Sequence, residues 1–145
     1  MTTLQHAREL LQGMLGEKID FRPGQWDAIE AIAVKRQRAL VVQRTGWGKS
    51  VVYFLATKLL RERGAGPTLL ISPLLSLMRN QIEMAGRIGL WAYTINSANQ
   101  EEWEVVETAL RKNACDLLLI SPERLNNPYF LQNVLPAMSG SSNAI

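Results

Sequence analysis

Cysteine, histidine and long apolar runs are scarce in this sequence, and each scarcity excludes a class of protein. Of the 145 residues, only Cys115 is a cysteine and only His6 is a histidine. A single thiol cannot form an internal disulfide or a cysteine-cluster metal site, and a single histidine has no histidine partner for a metal site or dyad. No apolar run approaches the roughly 20 residues that cross a bilayer, and the amino terminus lacks the basic and apolar regions of a signal peptide. We therefore expect a cytoplasmic protein with no membrane partner.

The overall composition is that of an ordinary soluble domain. Hydrophobic residues make up 47% of the chain and charged residues 20%, which suits a single domain with a sizeable core. The formal net charge of +3 permits a nucleic-acid partner without requiring one. Cys115 begins an apolar stretch, so we expect it to be a buried structural thiol.

Residues 43–50, Q-R-T-G-W-G-K-S, are the most informative stretch of the chain. An apolar run at 39–42 precedes them and is predicted to be a buried strand, and a helix is predicted to follow from residue 50. A strand, a glycine-rich turn and a helix that opens on Lys-Ser are typical of a phosphate-binding loop. The glycines let the backbone approach phosphate oxygens, and the helix directs its free N–H groups at the same anion. The alternative is a chance glycine turn between a strand and a helix.

Apolar runs and helical spacings alternate along the rest of the chain. Helices are predicted at 3–15, from about residue 24, and at 50–63, 74–89, 101–112 and within 128–138. Strands are predicted at 39–42, 68–71, 91–95 and 116–120. Because strands alternate with helices, we predict an α/β fold with a parallel sheet flanked by helices.

Four more stretches accompany the phosphate loop in a set order. F-R-P-G-Q occupies 21–25, I-S-P-L-L-S-L-M-R-N-Q occupies 71–81, I-N-S occupies 95–97 and L-I-S-P-E-R-L occupies 119–125. Together with T-G-W-G-K-S at 45–50, they resemble the first half of the leading motor domain of RecQ-type superfamily 2 DNA helicases. The resemblance implies a RecA-like P-loop NTPase domain, ATP and Mg²⁺ as cofactors, and DNA unwinding of 3′-to-5′ polarity in the full-length parent.

The resemblance assigns nucleotide binding to the phosphate loop and to F-R-P-G-Q. Gln25 would read adenine N6 and N7 through its amide donor and acceptor, and Arg22 would lie against the base. Lys49 would reach the β- and γ-phosphates in catalysis, and the Ser50 hydroxyl would be the metal ligand for Mg²⁺. The expected ATP site comprises Arg22, Gln25, Thr45, Gly46, Trp47, Gly48, Lys49 and Ser50. Alternatively, Gln25 is an exposed polar residue in the first turn of a helix and binds no ligand.

One position departs from the general phosphate-loop pattern, and two depart from the family pattern. Gln43 replaces the first glycine of the general phosphate loop, as in superfamily 2 helicases and translocases. Lys18 stands where the family usually has an aromatic residue that stacks on adenine, which puts base stacking in doubt. Trp47 occupies a position that is commonly small, and it either shields the nucleotide or packs on a neighbouring motor domain.

Three polar stretches each follow a predicted strand and are expected to contact single-stranded or duplex DNA. Ligands bind at the carboxyl ends of parallel strands, where Ser72 and the N–H groups of the next helix could hold a strand phosphate. By resemblance, the expected DNA surface comprises Ser72, Pro73, Arg79, Asn96, Ser97, Ser121, Pro122 and Arg124. Alternatively, the first Ser-Pro pair is a helix cap and I-N-S is an ordinary turn.

The acidic pair of helicase chemistry, D-E-x-H in this family, does not occur in the 145 residues. We expect a partial helicase ATP-binding domain over 1–145, with a helical lead-in at 1–36, an α/β core at 37–138 and a truncated tail at 139–145. The fold is then incomplete at its carboxyl terminus, and activity requires the second motor domain. The alternatives are a non-catalytic, nucleotide-responsive nucleic-acid-binding fragment and another P-loop NTPase, such as a small-molecule kinase.

Overall fold

A computed structural model of the protein describes residues 2–43, 48–71, 78–95 and 100–136. The helices are α1 (Thr3–Leu15), α2 (Gln25–Ile29), α3 (Lys49–Glu62), α4 (Met78–Gly86) and α5 (Trp103–Arg111). The strands are β1 (Thr68–Ile71), β2 (Ala92–Ile95) and β3 (Leu117–Ile120). Shorter stretches are the 3₁₀ turns Gln100–Glu102 and Pro122–Asn126 and the π-helical turns Glu30–Val34 and Phe130–Val134.

The three strands form one parallel sheet in the order β1-β3-β2. All four residues of the central strand β3 are buried, as expected for an apolar strand covered on both faces. Ile71 and Ile95 are both in register with Ile120, so the three strands end level at their carboxyl edge. Helices α4 and α5 contact β2. The predicted α/β fold with a parallel sheet flanked by helices is confirmed.

Helix α5 contributes one apolar face to the core beside this sheet. Trp103, Val106 and Leu110 lie on that face and are buried, as their helical spacing predicts. They cluster with Ile95, Leu118, Ile120, Phe130 and Val134. Cys115 belongs to the same cluster, and its burial raises the pKa of the thiol to about 12. The thiol therefore stays protonated and packs as a small apolar group, which confirms the structural role expected for it.

The prediction of a buried strand at 39–42 is wrong. These residues have no regular secondary structure, and the side chains of Leu40 and Val42 are 91% and 81% exposed. An interior strand requires hydrogen-bonding partners on both sides. In the described ranges, β1 and β2 each pair only with β3, so no strand pairs with residues 39–42. Apolar composition alone therefore did not specify a strand at this position.

Residues 1–60 and 61–145 form two compact units, and the boundary falls near the end of α3. The first unit contains α1, α2 and most of α3, and the second contains the sheet with α4 and α5. The predicted helix 74–89 is confirmed from residue 78 to residue 86, and residues 74–77 lie outside the described ranges. Within the described ranges, no helix combines the length and the hydropathy that crossing a bilayer requires.

Candidate functional site

Residues 22–25 of F-R-P-G-Q form a tight turn at the start of α2. The N–H of Gln25 donates to the carbonyl oxygen of Arg22 at 3.0 Å, which closes the turn. Pro23 occupies its second position, and Gly24 its third with φ 87° and ψ −15°, which are the angles of a type II turn. Only glycine adopts that φ without strain, so Pro-Gly explains why the chain turns here.

The side chain of Gln25 connects this turn to the end of the phosphate loop. Its Oε1 accepts a hydrogen bond from the N–H of Arg22 at 2.8 Å, and its Nε2 donates to the carbonyl oxygen of Gly48 at 3.2 Å. The same Gly48 oxygen accepts from the N–H of Val51 in the first turn of α3. Gln25 is only 3% exposed, so these bonds are largely shielded from water. Two sequence stretches that are 23 residues apart thus meet through one buried amide.

A cavity of about 360 Å³ opens beside this junction. Its lining residues are Leu11, Leu15, Lys18, Ile19, Asp20, Arg22, Gln25, Gly48 and Val51. One part of the wall is aliphatic and another carries charge, and no aromatic ring is among these described lining residues. A cavity of this size with a few convergent polar groups is typical of a small-molecule site.

The segment before the turn is held against α1 by Asp20. Its Oδ1 accepts from the Nε of Arg8 at 3.0 Å and from the N–H of Phe21 at 2.7 Å. The hydrogen bond from the Phe21 backbone, and then the one from Arg8, lower the pKa of Asp20. The carboxylate therefore stays ionised at neutral pH and fixes one wall of the cavity.

Lys49 and Ser50 are the first two residues of α3 and directly follow Gly48. Lys49 is exposed and Ser50 is half-buried. The unsatisfied N–H groups of the first helical turn, with the positive end of the helix dipole, favour an anion at this terminus. The other predicted residues of the phosphate loop, Thr45, Gly46 and Trp47, lie outside the described residues.

The predicted DNA-contacting stretches begin at one edge of the sheet. Ile71, Ile95 and Ile120 end the three strands in register, so the chain leaves the sheet at the same level after each of them. Ser121 and Pro122 directly follow β3, and Arg79 is exposed near the start of α4. The remaining predicted contacts, Ser72, Pro73, Asn96 and Ser97, lie outside the described residues.

Ser121 and Arg124 are less exposed than expected of surface groups. Ser121 is 2% exposed, and its hydroxyl is the main cause of the lowered pKa of Glu123, followed by the backbone N–H of Glu123. The hydroxyl nevertheless makes no hydrogen bond of ordinary geometry among the described residues. Arg124 is half-buried, and its guanidinium carbon lies 5.6 Å from the centre of the Trp103 ring.

Two contributions to these sites were not foreseen from the sequence. Helix α1 supplies Leu11 and Leu15 to the cavity wall, although the sequence predicted only a helix at 3–15. Trp103 is buried in the core, and its contact with Arg124 depends on the packing of residues 21 positions apart. Neither contribution has a local sequence signal.

Residues 22–139 match the sequence model of the DEAD/DEAH box helicase family. The chain belongs to this family. The matched range begins in the type II turn and includes the phosphate loop, all three strands and S-P-E-R-L. Family membership confirms the RecA-like P-loop NTPase class that the motifs implied.

Individual relatives place the similarity among RecQ-type helicases, which confirms the resemblance stated above. The chain is 36% identical over 131 residues to the ATP-dependent DNA helicase RecQ of Bacillus subtilis (strain 168), covering 89% of this chain and 21% of that protein. It is 36% identical over 127 residues to the RecQ helicase of Haemophilus influenzae, covering 87% and 20%. It is 38% identical over 109 residues to the ATP-dependent DNA helicase Q-like 2 of Arabidopsis thaliana, covering 73% and 15%. This helicase-family chain therefore spans about a fifth or less of the length of these relatives.

Proposed function

We propose that this chain is the ATP-binding portion of an ATP-dependent DNA helicase. The observation that carries the proposal is the hydrogen bond from Gln25 to Gly48, which joins the Arg22–Gln25 turn to the phosphate loop beside a cavity of about 360 Å³. Adenine in that cavity would be close to Arg22 and Gln25, and its faces would meet the aliphatic wall. The triphosphate would extend toward the first turn of α3.

Lys49 and Ser50 have the chemistry that the phosphates and the metal need. A lysine ammonium at the start of α3 would neutralise the β- and γ-phosphates, and the N–H groups of the same turn would bind their oxygens. The Ser50 hydroxyl would ligate Mg²⁺, which supplies charge stabilisation when it is bound. Thr45, Gly46 and Trp47 complete the loop in this proposal.

Replacing Lys49 with alanine is expected to weaken Mg-ATP binding by about 10- to 100-fold, because a charge-assisted hydrogen bond to phosphate contributes about 1.5–3 kcal/mol. The measurement is a titration with a fluorescent ATP analogue in the presence of Mg²⁺. Lys58→Ala is the matched control, since it removes the same charge from the same helix more than two turns away. Equal affinities of the two variants would reject the proposed phosphate site.

The carboxyl edge of the β-sheet is the surface that we propose binds single-stranded DNA. The three strands end level there, and each is followed by a stretch with serine or asparagine that could bond a DNA phosphate. In this proposal, the DNA strand is contacted by Ser72, Pro73, Asn96 and Ser97. Arg79 adds positive charge, and the rest of the surface consists of Ser121, Pro122 and Arg124. The full-length protein would unwind DNA with 3′-to-5′ polarity and would need a second motor domain.

The 145 residues by themselves are expected to bind ATP without hydrolysing it at a helicase rate. No adjacent Asp-Glu pair occurs among them. Such a pair binds Mg²⁺ and orients the attacking water in this chemistry. Phosphate release should therefore stay at the background rate with or without single-stranded DNA. Turnover that DNA stimulates and that Lys49→Ala abolishes would refute this expectation.

A further inference from the structure

A chain of contacts links α5 to the S-P-E-R-L stretch. The guanidinium carbon of Arg124 lies 5.6 Å from the centre of the Trp103 ring, within the range of a cation–π contact. The Trp103 ring packs on Tyr129 at 5.4 Å between centroids, with the rings tilted by 40°. The hydroxyl of Tyr129 donates to Oε2 of Glu107 at 2.6 Å, and the other carboxylate oxygen of Glu107 pairs with Arg111.

The position of the Trp103 ring is restricted by burial and by its contact with Tyr129. Trp103 is 9% exposed and belongs to the apolar cluster under the sheet, so its ring has little freedom to turn. Tyr129 remains a donor at all ordinary pH values, because its hydrogen bond to Glu107 raises the pKa of the phenol to about 12. The Trp103 ring beside Arg124 is thus held by its own packing against Tyr129.

Arg124 itself is restrained along its side chain. Its Nε is buried and has no hydrogen-bond partner among the described residues, so the ring contact is what holds this end of the guanidinium. The neighbouring carboxylate of Glu123 is fully exposed, and of the causes that lower its pKa the Arg124 charge is the smallest. The Trp103 ring therefore lies within cation–π range of the guanidinium, whereas the nearby Glu123 carboxylate is exposed to water.

We propose that Trp103 is a positioning residue that orders the Arg124 guanidinium, before DNA binds, to receive a phosphate of single-stranded DNA. This inference depends on the DNA surface proposed above. It adds Trp103, which lies outside the stretches that follow the three β-strands. An arginine ordered in advance loses less conformational freedom when it binds its phosphate. A planar guanidinium can lie against a ring and still offer several N–H donors to a phosphate, a combination that lysine cannot reproduce.

The test is DNA affinity as a function of salt, measured by fluorescence anisotropy with labelled oligothymidylate of about 15 nucleotides. Arg124→Ala should weaken binding by about 5- to 10-fold and reduce the slope of log K against log salt by about 0.7, the value for one phosphate contact on a single strand. Trp103→Leu keeps an apolar side chain but removes the ring, and it should reproduce most of both changes. The double variant should be no weaker than Arg124→Ala, because the two residues act on one contact.

Three further variants separate positioning from a general loss of structure. Trp103→Phe retains a ring face and should bind within about 2-fold of the unaltered protein. Val106→Ala loses volume in the same core cluster and should leave the salt slope unchanged. Arg124→Lys keeps the charge and the core intact and should still bind at least about 3-fold more weakly.

The outcomes distinguish the inference from the function on which it depends. If Arg124→Ala binds DNA normally, the proposed role of Arg124 at the DNA surface is wrong. If Arg124→Ala loses affinity while Trp103→Leu keeps it, or the two losses add, Trp103 does not position Arg124. If Trp103→Leu does not fold, Arg124→Lys decides, and its normal affinity would overturn the inference.

Discussion

Replacing Gly48 with alanine is expected to reduce Mg-ATP affinity by about 100-fold, the upper end of the range expected for removal of the Lys49 charge. Gly48 has φ +94°, and a Cβ built there would lie 2.6 Å from Nε2 of Gln25. The left-handed backbone costs a non-glycine residue about 1–2 kcal/mol. The approach to Nε2 also requires the amide to move, although it is buried and holds both the Arg22 turn and the Gly48 carbonyl.

Moving the Gln25 amide disturbs both halves of the proposed nucleotide site. Loss of its buried hydrogen bonds costs about 1–3 kcal/mol, so strain and lost bonds together amount to about 2–5 kcal/mol, a range that includes the roughly 2.7 kcal/mol of a 100-fold change. The measurement is the titration with a fluorescent ATP analogue, accompanied by a circular dichroism spectrum. Gly13→Ala is the matched control, because it adds the same methyl group in α1 where no atom lies within 4 Å. Binding by Gly48→Ala within about 3-fold of normal would show that the Gly48–Gln25 junction does not govern affinity.

Replacing Arg61 with alanine is expected to lower the free energy of unfolding of the second unit by about 3–5 kcal/mol. Arg61 Nε and Asp116 Oδ1 are 2.6 Å apart, and the two side chains are only 13% and 15% exposed. The Nη1 of Arg61 also donates to the carbonyl oxygen of Ala65 and to Oδ1 of Asn113, and Nη2 donates to the Asn113 carbonyl oxygen. Without the guanidinium, a nearly buried carboxylate and several carbonyl groups lose their partner.

Asp116 connects the Arg61 ion pair to the amino ends of all three strands. Its Oδ2 accepts from the N–H of Trp91 next to β2, and its carbonyl oxygen accepts from the N–H of Thr68 at the start of β1. Asp116 itself directly precedes β3. The effect should therefore reach the whole sheet, and since domains are stable by only about 5–15 kcal/mol, the expected loss is a large fraction of the total stability.

Urea unfolding followed by circular dichroism provides the measurement for Arg61→Ala. The free energy of unfolding of Arg61→Lys should lie between those of Arg61→Ala and the unaltered protein, because lysine keeps the charge but not the planar set of donors. Arg87→Ala is the control, since Arg87 and Glu83 form an exposed pair at 3.8 Å that should contribute less than about 1 kcal/mol. A loss below about 1 kcal/mol for Arg61→Ala would contradict the role given to this ion pair.

The strands show how far local composition predicts the fold. T-L-L-I and L-L-L-I are almost continuously apolar and form β1 and β3 at the predicted positions. The run at 39–42 has the same character and is not a strand, because a strand depends on partners elsewhere in the chain. The order β1-β3-β2 depends on the same long-range pairing, which no local pattern encodes.

The site residues divide in the same way. The sequence predicts a nucleotide-binding role for Gln25 because F-R-P-G precedes it. It predicts a DNA-binding role for Arg124 because that residue belongs to S-P-E-R-L. The contacts of these side chains follow from packing: the Gln25 amide bonds to Gly48, and the Arg124 guanidinium lies on Trp103. A local sequence pattern cannot predict these partners, because Gln25 and Gly48 are 23 residues apart and Trp103 and Arg124 are 21 residues apart.

By itself, the sequence determined the helicase family, the positions of the glycine and proline turns, and the helices and strands whose apolar periodicity is local. Those features depend on backbone angles and side-chain spacing within a few residues of one another. Only the tertiary structure decided which strands pair, that α1 forms a wall of the cavity, that Arg61 and Asp116 join the strand starts, and that Trp103 faces Arg124. These depend on distances between residues far apart in the chain, which burial of the apolar core sets as a whole.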